Sequence, residues 1–258
     1  MMQLQRTSST FRWLLAGGVI MTVAATVVIQ FPVKWLQDTI SRGTQCKILL
    51  SEPMGSIWRG SSAIGFSEPA IDGKSCRPAL AVTERVRWTT DCSLRRFACT
   101  MDIETPFLLK PLQVTFQPSQ ITVRNDEARL PAEILEAIGA PWTLLHPRAD
   151  FTIRWSDLVF DLAGNHGNLW ASLNGLSSPI SQIKPLGSYD LQATFTNHDL
   201  SYTLTTSKGP LILNAKGTLG ERITGQGDAS ATPEMQEALT GLLNLIGRRQ
   251  GNVYQLIF

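Results

Sequence analysis

The sequence lacks clustered positive charge, closely paired cysteines and the phosphate- or nucleophile-bearing motifs of common enzymes. Its 23 Lys and Arg against 21 Asp and Glu leave a formal charge of +2 over 258 residues. No stretch gathers the basic residues that nucleic acid binding needs. No Cys-x-x-Cys occurs, and His146, His166 and His198 lie far in sequence from the four cysteines, which argues against a structural zinc site. No Gly-x-Ser-x-Gly elbow is present, so a serine hydrolase of that type has no support. No phosphate loop ends in Gly-Lys-Ser/Thr. The Gly-rich GTLGERITGQG at 217–227 has neither the dinucleotide spacing nor a strand–helix context. The three histidines sit in turn-like settings, where solvated side chains are the rule. Asp157 and Asp161, four apart on an expected strand, would point the same way, and a solvated sheet face accounts for them more simply than a catalytic carboxylate pair. The expectation is a protein that is no enzyme and holds no cofactor and no metal.

What is present is an ordinary folding composition, 43% hydrophobic and 17% charged, which excludes a disordered chain. A chain this long buries roughly 70% of its unfolded surface and folds without metals or disulfides.

Charge is also missing from 13–33, WLLAGGVIMTVAATVVIQFPV. About twenty such residues at 1.5 Å rise span about 30 Å, the thickness of a bilayer's hydrocarbon core. Arg12 and Lys34 bracket the run, and Trp13 and Trp35 stand where aromatic side chains favour the interface. The competing reading is a cleaved signal peptide, with Val23-Ala24-Ala25 as the small-residue site. Against it, the apolar run continues through Val27, Val28 and Ile29, too long for a signal's apolar core. The organisation expected is a cytoplasmic N-terminus over 1–12, a transmembrane helix over 13–33, a linker over 34–43 and a translocated β-rich domain over 44–258. The flanking charges do not decide the orientation. A long domain translocates regardless of them, and the cysteines agree with export.

Cys46, Cys76, Cys92 and Cys99 all come after the apolar run, an even number that fits two disulfides in an oxidising compartment. Three pairings are open. One of them closes Cys92 and Cys99 across a hairpin and leaves Cys46 for Cys76.

From residue 44 onward the chain reads as strand after strand. Tyr189, Leu191, Ala193 and Phe195 alternate with polar residues, as do Leu200, Tyr202 and Leu204, then Leu211, Leu213, Ala215, Gly217 and Leu219. Period-two alternation broken by short polar or Gly-Pro turns is an antiparallel meander with one buried face. Cys46–Leu50, Arg85–Thr90, Leu112–Phe116, Ile121–Arg124, Phe151–Trp155 and Asn168–Leu173 read the same way. Two helices are expected. Pro131–Ile138 opens on Pro and stops at Gly139. Pro233–Ile246 is capped by Thr232, closed by Gly247 with Arg248 and Arg249 at its end, and carries an apolar stripe of Met235, Leu239, Leu242, Leu243 and Ile246. A weak repeat relates KPLQVTF (110–116) to GPLILNA (209–215), each followed by a Pro-led helix containing Glu-Ala. It implies two similar halves, 44–145 and 146–258, on one curved antiparallel sheet, each closed by a short helix. The fold class is mainly β. In GSIWRGSS (55–62), Trp58 is expected on a strand, covering the hydrophobic face, with Arg59 pointing away and Gly60 allowing close backbone approach.

Five segments in order, GSIWRGSS (55–62), LPAEILEAIGAP (130–141), PLGSYDLQ (185–192), TTSKGPLILNAKG (205–217) and ALTGLLNLIGRRQG (238–251), together with the N-terminal apolar run, resemble the type II secretion system protein N family. The resemblance implies a bitopic protein of a bacterial inner membrane, held in the lipid bilayer through residues 13–33. Its periplasmic β-domain acts as scaffold or interaction module among other type II secretion system proteins, in the export of folded proteins across the outer membrane. It implies no catalytic residues. It marks Gly55, Trp58, Arg59, Gly60, Pro131, Gly139, Pro141, Gly187, Tyr189, Gly209 and Pro210 as fold-determining positions. A second reading, from the paired sheet-plus-helix halves, is a periplasmic lipid or apolar-ligand binding module of AsmA-like outline, which would leave an apolar groove open.

Overall fold

A computed structural model describes residues 17–19, 21–23, 26, 31, 33–43, 48–69, 76–138, 142–219, 223–251 and 253–256. A ten-residue helix, α1 (Lys34–Gly43), precedes the sheet. Most of the 13–33 run lies outside the described residues, and among those described no helix is long and apolar enough to cross a membrane.

The strands are β1 (Ile48–Gly55), β2 (Arg59–Pro69), β3 (Cys76–Ser93), β4 (Ala98–Glu104), β5 (Leu112–Phe116), β6 (Gln120–Val123), β7 (Asp126–Pro131), β8 (Arg148–Trp155), β9 (Leu158–Asp161), β10 (Asn165–Ser177), β11 (Gly187–Asn197), β12 (Asp199–Lys208), β13 (Leu211–Leu219), β14 (Ile223–Ala231), β15 (Gly247–Gln250) and β16 (Val253–Leu256). All join one antiparallel sheet, so the chain is mainly β. From β10 to β14 it is a plain meander, and the alternation in sequence is the alternation in burial. Tyr189 and Ala193 are buried, while Leu200, Tyr202 and Leu204 are half-buried between exposed neighbours. In register, Leu191 faces Leu204, which faces Ala215. Such cross-strand apolar pairs are what hold a half-buried sheet together.

The middle of the sheet is a seam. β6 and β7 run in the same direction and keep one register against β9 and β8, from Gln120 opposite Asp161 through Val123 opposite Leu158 to Asp126 opposite Trp155. They are one strand interrupted at Arg124–Asn125. β8 and β9 are likewise one strand interrupted at Ser156–Asp157, and β10 pairs with both pieces. The two expected halves therefore share one continuous sheet, joined along this pair.

A single core cluster fills one end of the second half. Leu173, Leu176, Leu186, Tyr189, Leu211 and Ala229 of the sheet meet Leu239, Leu243 and Ile246 of α3 (Gln236–Ile246). Ala132, Leu135 and Leu145, from the connection between β7 and β8, join the same cluster. So the two helical segments do not close one half each; both pack into one core.

The helix expectations need further correction. Pro131 ends β7, where it faces Asp150, and the adjoining Ala132–Ile138 is a 3-10 helix. A four-residue turn, α2 (Trp142–Leu145), comes next. Pro233 opens a 3-10 turn, and the α-helix starts only at Gln236. Thr232 offers its carbonyl to Met235 rather than a side-chain cap. Arg248 and Arg249 belong to β15, because Gly247 is extended and carries the chain straight into a strand. Met235 stands off the buried stripe and is exposed.

The Trp-Arg segment is strand only in part: Ser56, Ile57 and Trp58 form a hairpin turn, and Arg59 to Ser62 open a strand. β1 ends at Gly55 and β2 begins at Arg59, with Gly55 opposite Gly60. Ser56 Oγ accepts from the amides of Trp58 and Arg59 (3.2 and 3.3 Å). Trp58 is half-buried in the turn, and the buried tryptophan is Trp88, reaching across from β3 to donate to the Ser56 carbonyl at 3.2 Å. The lack of a side chain at Gly60 makes room for it, since a Cβ there would lie 2.4 Å from Trp88 Cζ2 and 2.8 Å from the Met54 carbonyl oxygen.

Gly60→Ala should therefore destabilise the fold by about 1–3 kcal/mol through overpacking. A fall in the urea midpoint at unchanged slope reports it; an unchanged midpoint would mean that Trp88 moves aside freely.

Candidate functional site

The seam borders a concavity. Interrupting a ladder strands backbone amides, which must find partners elsewhere. Here side chains supply them. Asp157 accepts from the Asn125 amide at 2.7 Å. Ser156 Oγ accepts from the Asn168 amide at 2.9 Å, and the Ser156 amide donates to the Asn168 carbonyl at 3.0 Å. The indole of Trp155 donates to the Arg124 carbonyl at 2.8 Å.

Beside the seam opens a cleft of about 1220 Å³. One wall is a cross-strand row, Thr89 opposite Asp102 opposite Gln113. The row is knitted by side chains. Gln113 donates to Asp102 at 3.1 Å, and Arg124 donates to the Gln113 side-chain oxygen at 3.1 Å. Glu104, Asp126 and Glu127 add negative charge and Lys110 and Arg154 positive charge; Trp155 and Trp170 supply the aromatic surface. The cleft is thus polar, of mixed charge, and partly pre-organised by its own hydrogen bonds. It is not the open apolar groove that the lipid-binding reading needs.

The carboxylates singled out in the sequence are turn formers. Asp157 serves the seam, between β8 and β9. Asp161 ends β9 and accepts from the amides of Ala163 and Gly164 at 2.7 and 2.8 Å. Their oxygens face different backbone amides and converge on no common point. His146 Nδ1 meets Glu136 at 3.1 Å, while His166 lies exposed on β10 and His198 in the exposed β11–β12 turn. Among the described residues no three His, Cys, Asp or Glu side chains gather as a metal site would require.

Of the cysteines, Cys92 and Cys99 face each other in the β3–β4 hairpin and are disulfide-bonded, with Cα atoms 4.0 Å apart. Cys46 lies outside the described residues, and only the backbone of Cys76 is described.

Of the motif positions, Gly55, Trp58, Arg59 and Gly60 form the hairpin turn. Gly139 and Pro141 lie outside the described residues. Gly187, Tyr189, Gly209 and Pro210 come together at the packed end. Gly209 has φ +119°, and a Cβ on it would lie 2.3 Å from Gly187 Cα. Two backbones touch here, and only glycine permits it. The Tyr189 hydroxyl then donates to the Leu211 carbonyl at 2.9 Å, the Leu211 amide donates to the Leu186 carbonyl at 3.0 Å, and the Pro210 carbonyl accepts from Thr232 at 2.9 Å. This knot ties β11, β13 and the entry to α3. The cleft residues carried no signal in the sequence, because several separate strands contribute them.

The family described as type II secretion system (T2SS), protein N, matches residues 47–256. The chain belongs to that family. No curated protein and no solved structure matches it. The protein N match spans the hairpin turn, the seam, the cleft and the knot, that is, both halves of the sheet, and it places the chain in a secretion-machinery family with a role in type II secretion.

Tyr189 is buried, and burial pushes its phenol well above the ordinary value near 10. Tyr189→Phe should cost about 1–3 kcal/mol by leaving the buried Leu211 carbonyl without its donor. As pH rises past about 10 the unfolded chain's Tyr189 ionises while the folded one stays protonated. The unfolded state then binds fewer protons, and stability falls with pH. Alkaline unfolding curves should show that extra fall in the parent and not in the Phe variant; parallel curves would contradict it.

Proposed function

We propose that this protein N family member is a non-enzymatic inner-membrane component of the type II secretion system, with residues 13–33 as its anchor and the β-domain as a periplasmic scaffold. The family match over 47–256 carries this reading. The described part of the apolar run supports the anchor. Residues 17–19, 21–23 and 26 are helical, and Val19, Met21 and Val23 are 62%, 77% and 57% exposed, with nothing from the β-domain covering them. The hydroxyls of Thr22 and Thr26 turn back on the carbonyls of Gly18 and Thr22 at 2.8 Å each, which satisfies them within the helix as a lipid environment demands. Solvent offers no reason to display such a face; lipid does.

The cleft is the contact surface we assign to machinery partners. The described sheet edges are poor alternatives. β15 has four residues, three of them the exposed Arg248, Arg249 and Gln250, and β1 is bulged between Ser51 and Met54 with α1 against it. Short, charged or bulged edges discourage strand addition. A mixed-charge cleft with two tryptophans fits a protein surface of complementary charge.

Three measurements test the proposal together. Alkaline carbonate should leave the protein in the membrane pellet. A reporter fused after Phe258 should be active only in its exported form. A photo-crosslinker replacing Gln113 should capture another secretion-machinery protein in intact cells. Recovery from the aqueous cytosol, or capture of no machinery protein from the cleft, would count against it.

A further inference from the structure

The antiparallel order fixes which turns share an end of the sheet. From β1 to β6 and from β9 to β14 every neighbour is antiparallel, so the turns at 56–58, 94–97, 117–119, 162–164 and 197–198 all lie at one end. The 3-10 helix Ala132–Ile138, α2 and the start of α3 come after strands running the other way, so they and the core cluster lie at the opposite end. One end is sealed by helices. The other, among the described residues, is a rim of hairpin tips.

That rim is apolar at its tips. Leu94 and Phe97, at the end of the β3–β4 hairpin, are 88% and 75% exposed, and Leu162, at the β9–β10 tip, is 91% exposed. Phe116 and Ile121, facing each other beside the β5–β6 turn, are also exposed. Between Leu94 and Phe97 stand Arg95 and Arg96, both exposed. The Cys92–Cys99 disulfide ties the base of this hairpin, so the tip is held out rather than folded back.

The apolar N-terminal run ends at the same rim. The Ile57 amide, in the β1–β2 turn, donates to the Phe31 carbonyl at 3.2 Å, and the Trp58 carbonyl accepts from Thr90 at 2.7 Å. Thr90 precedes Leu94 by four residues. At about 3.3 Å per residue the β3–β4 tip lies within about 13 Å of the level at which the chain leaves its apolar segment. Exposed Leu and Phe flanking two Arg, at that level, is the chemistry of an anionic lipid interface. The apolar side chains enter the headgroup–acyl boundary and the guanidinium groups meet lipid phosphates.

We propose that this rim is a lipid-contact surface, with Leu94, Arg95, Arg96 and Phe97 seated in the headgroup layer of the membrane that holds the anchor. The inference rests on the anchor reading for its membrane, and it adds a second, peripheral attachment that fixes how the sheet stands. The full-length protein, reconstituted in vesicles of phosphatidylcholine with phosphatidylglycerol, should carry a photo-crosslinking phenylalanine analogue at Phe97 or Leu162, and as controls at Leu109 or Ile180 near the sealed end. Lipid adducts should form several-fold more at 97 and 162 than at the controls. Arg95→Gln with Arg96→Gln should lower the adduct at 97 several-fold. Equal labelling at both ends, or adducts with a second copy or another protein in place of lipid, would overturn the proposal. Carbonate extraction separates the two readings. Retention without labelling sinks the rim contact alone; release with labelling at 97 sinks the anchor and upholds the rim.

Discussion

Everything in the centre of this molecule depends on how two strands survive being interrupted. β6 and β7 resume in register after Arg124–Asn125, and β8 and β9 resume after Ser156–Asp157. A sheet tolerates such a gap only if the freed backbone groups are satisfied, since a stranded amide costs as much as a lost hydrogen bond. Asp157 and Ser156 do this with short side chains that replace ladder partners. The interruption then becomes useful. It sets Arg124 and Trp155 at the break, where the Trp155 indole bonds the Arg124 carbonyl, and places both, with Gln113 and Asp102, around the cleft.

The regular part of the sheet is legible in the sequence and the seam is not, for one reason. Alternation reports which face a residue takes on a strand whose ladder is intact, so most of 188–215 can be read from it, while Phe116 and Leu219, near the strand ends, are exposed. It says nothing of a strand that breaks and resumes. Asp157 and Asp161 look like a same-face pair only on the assumption of one unbroken strand; the break turns the first toward Asn125, and the second serves its own turn. The same limit applies to the Trp-Arg segment. Gly60 announces that something large must pass close by, but not what. The nearest tryptophan in sequence, Trp58, is the natural choice, and the one that fills the space, Trp88, comes from β3. Likewise Pro131 fits both the end of an edge strand and the start of a helix. Tertiary pairing with Asp150 decides for the strand, and Ala132–Ile138 then tightens into a 3-10 helix that brings Ala132 and Leu135 into the core.

The two ends of the sheet divide the labour of stability. At the sealed end, the contact of Gly187 with Gly209 lets Tyr189 bond the Leu211 carbonyl beneath the side chains of α3. Apolar burial is concentrated there, in β10–β14, β16 and the helical segments. Among the described residues, the buried side chains of the first half include Leu50, Val86, Trp88 and Val114. That half depends on long ladder pairing, on the disulfide at the β3–β4 hairpin and on continuity with the second half through the seam. Such a half is specified by its neighbours more than by its own core.

That asymmetry gives the molecule a direction. If the rim of hairpin tips rests on lipid, the strands stand away from the membrane and the sealed end points into the periplasm. The cleft's row of Thr89, Asp102 and Gln113 begins only about four residues down the strands from those tips, roughly 13 Å along the strands. Such a distance exceeds a Debye length of about 8–10 Å, so the field of an anionic layer is largely screened there and the charges of the cleft answer chiefly to one another. The cleft carries both signs, with Asp102 and Arg124 each engaged by Gln113, and so presents little net charge to the membrane while keeping polar groups free for a protein partner. On the proposed scaffold reading, that balance lets the row across β3, β4 and β5 hold a partner beside the bilayer rather than release it onto the lipid.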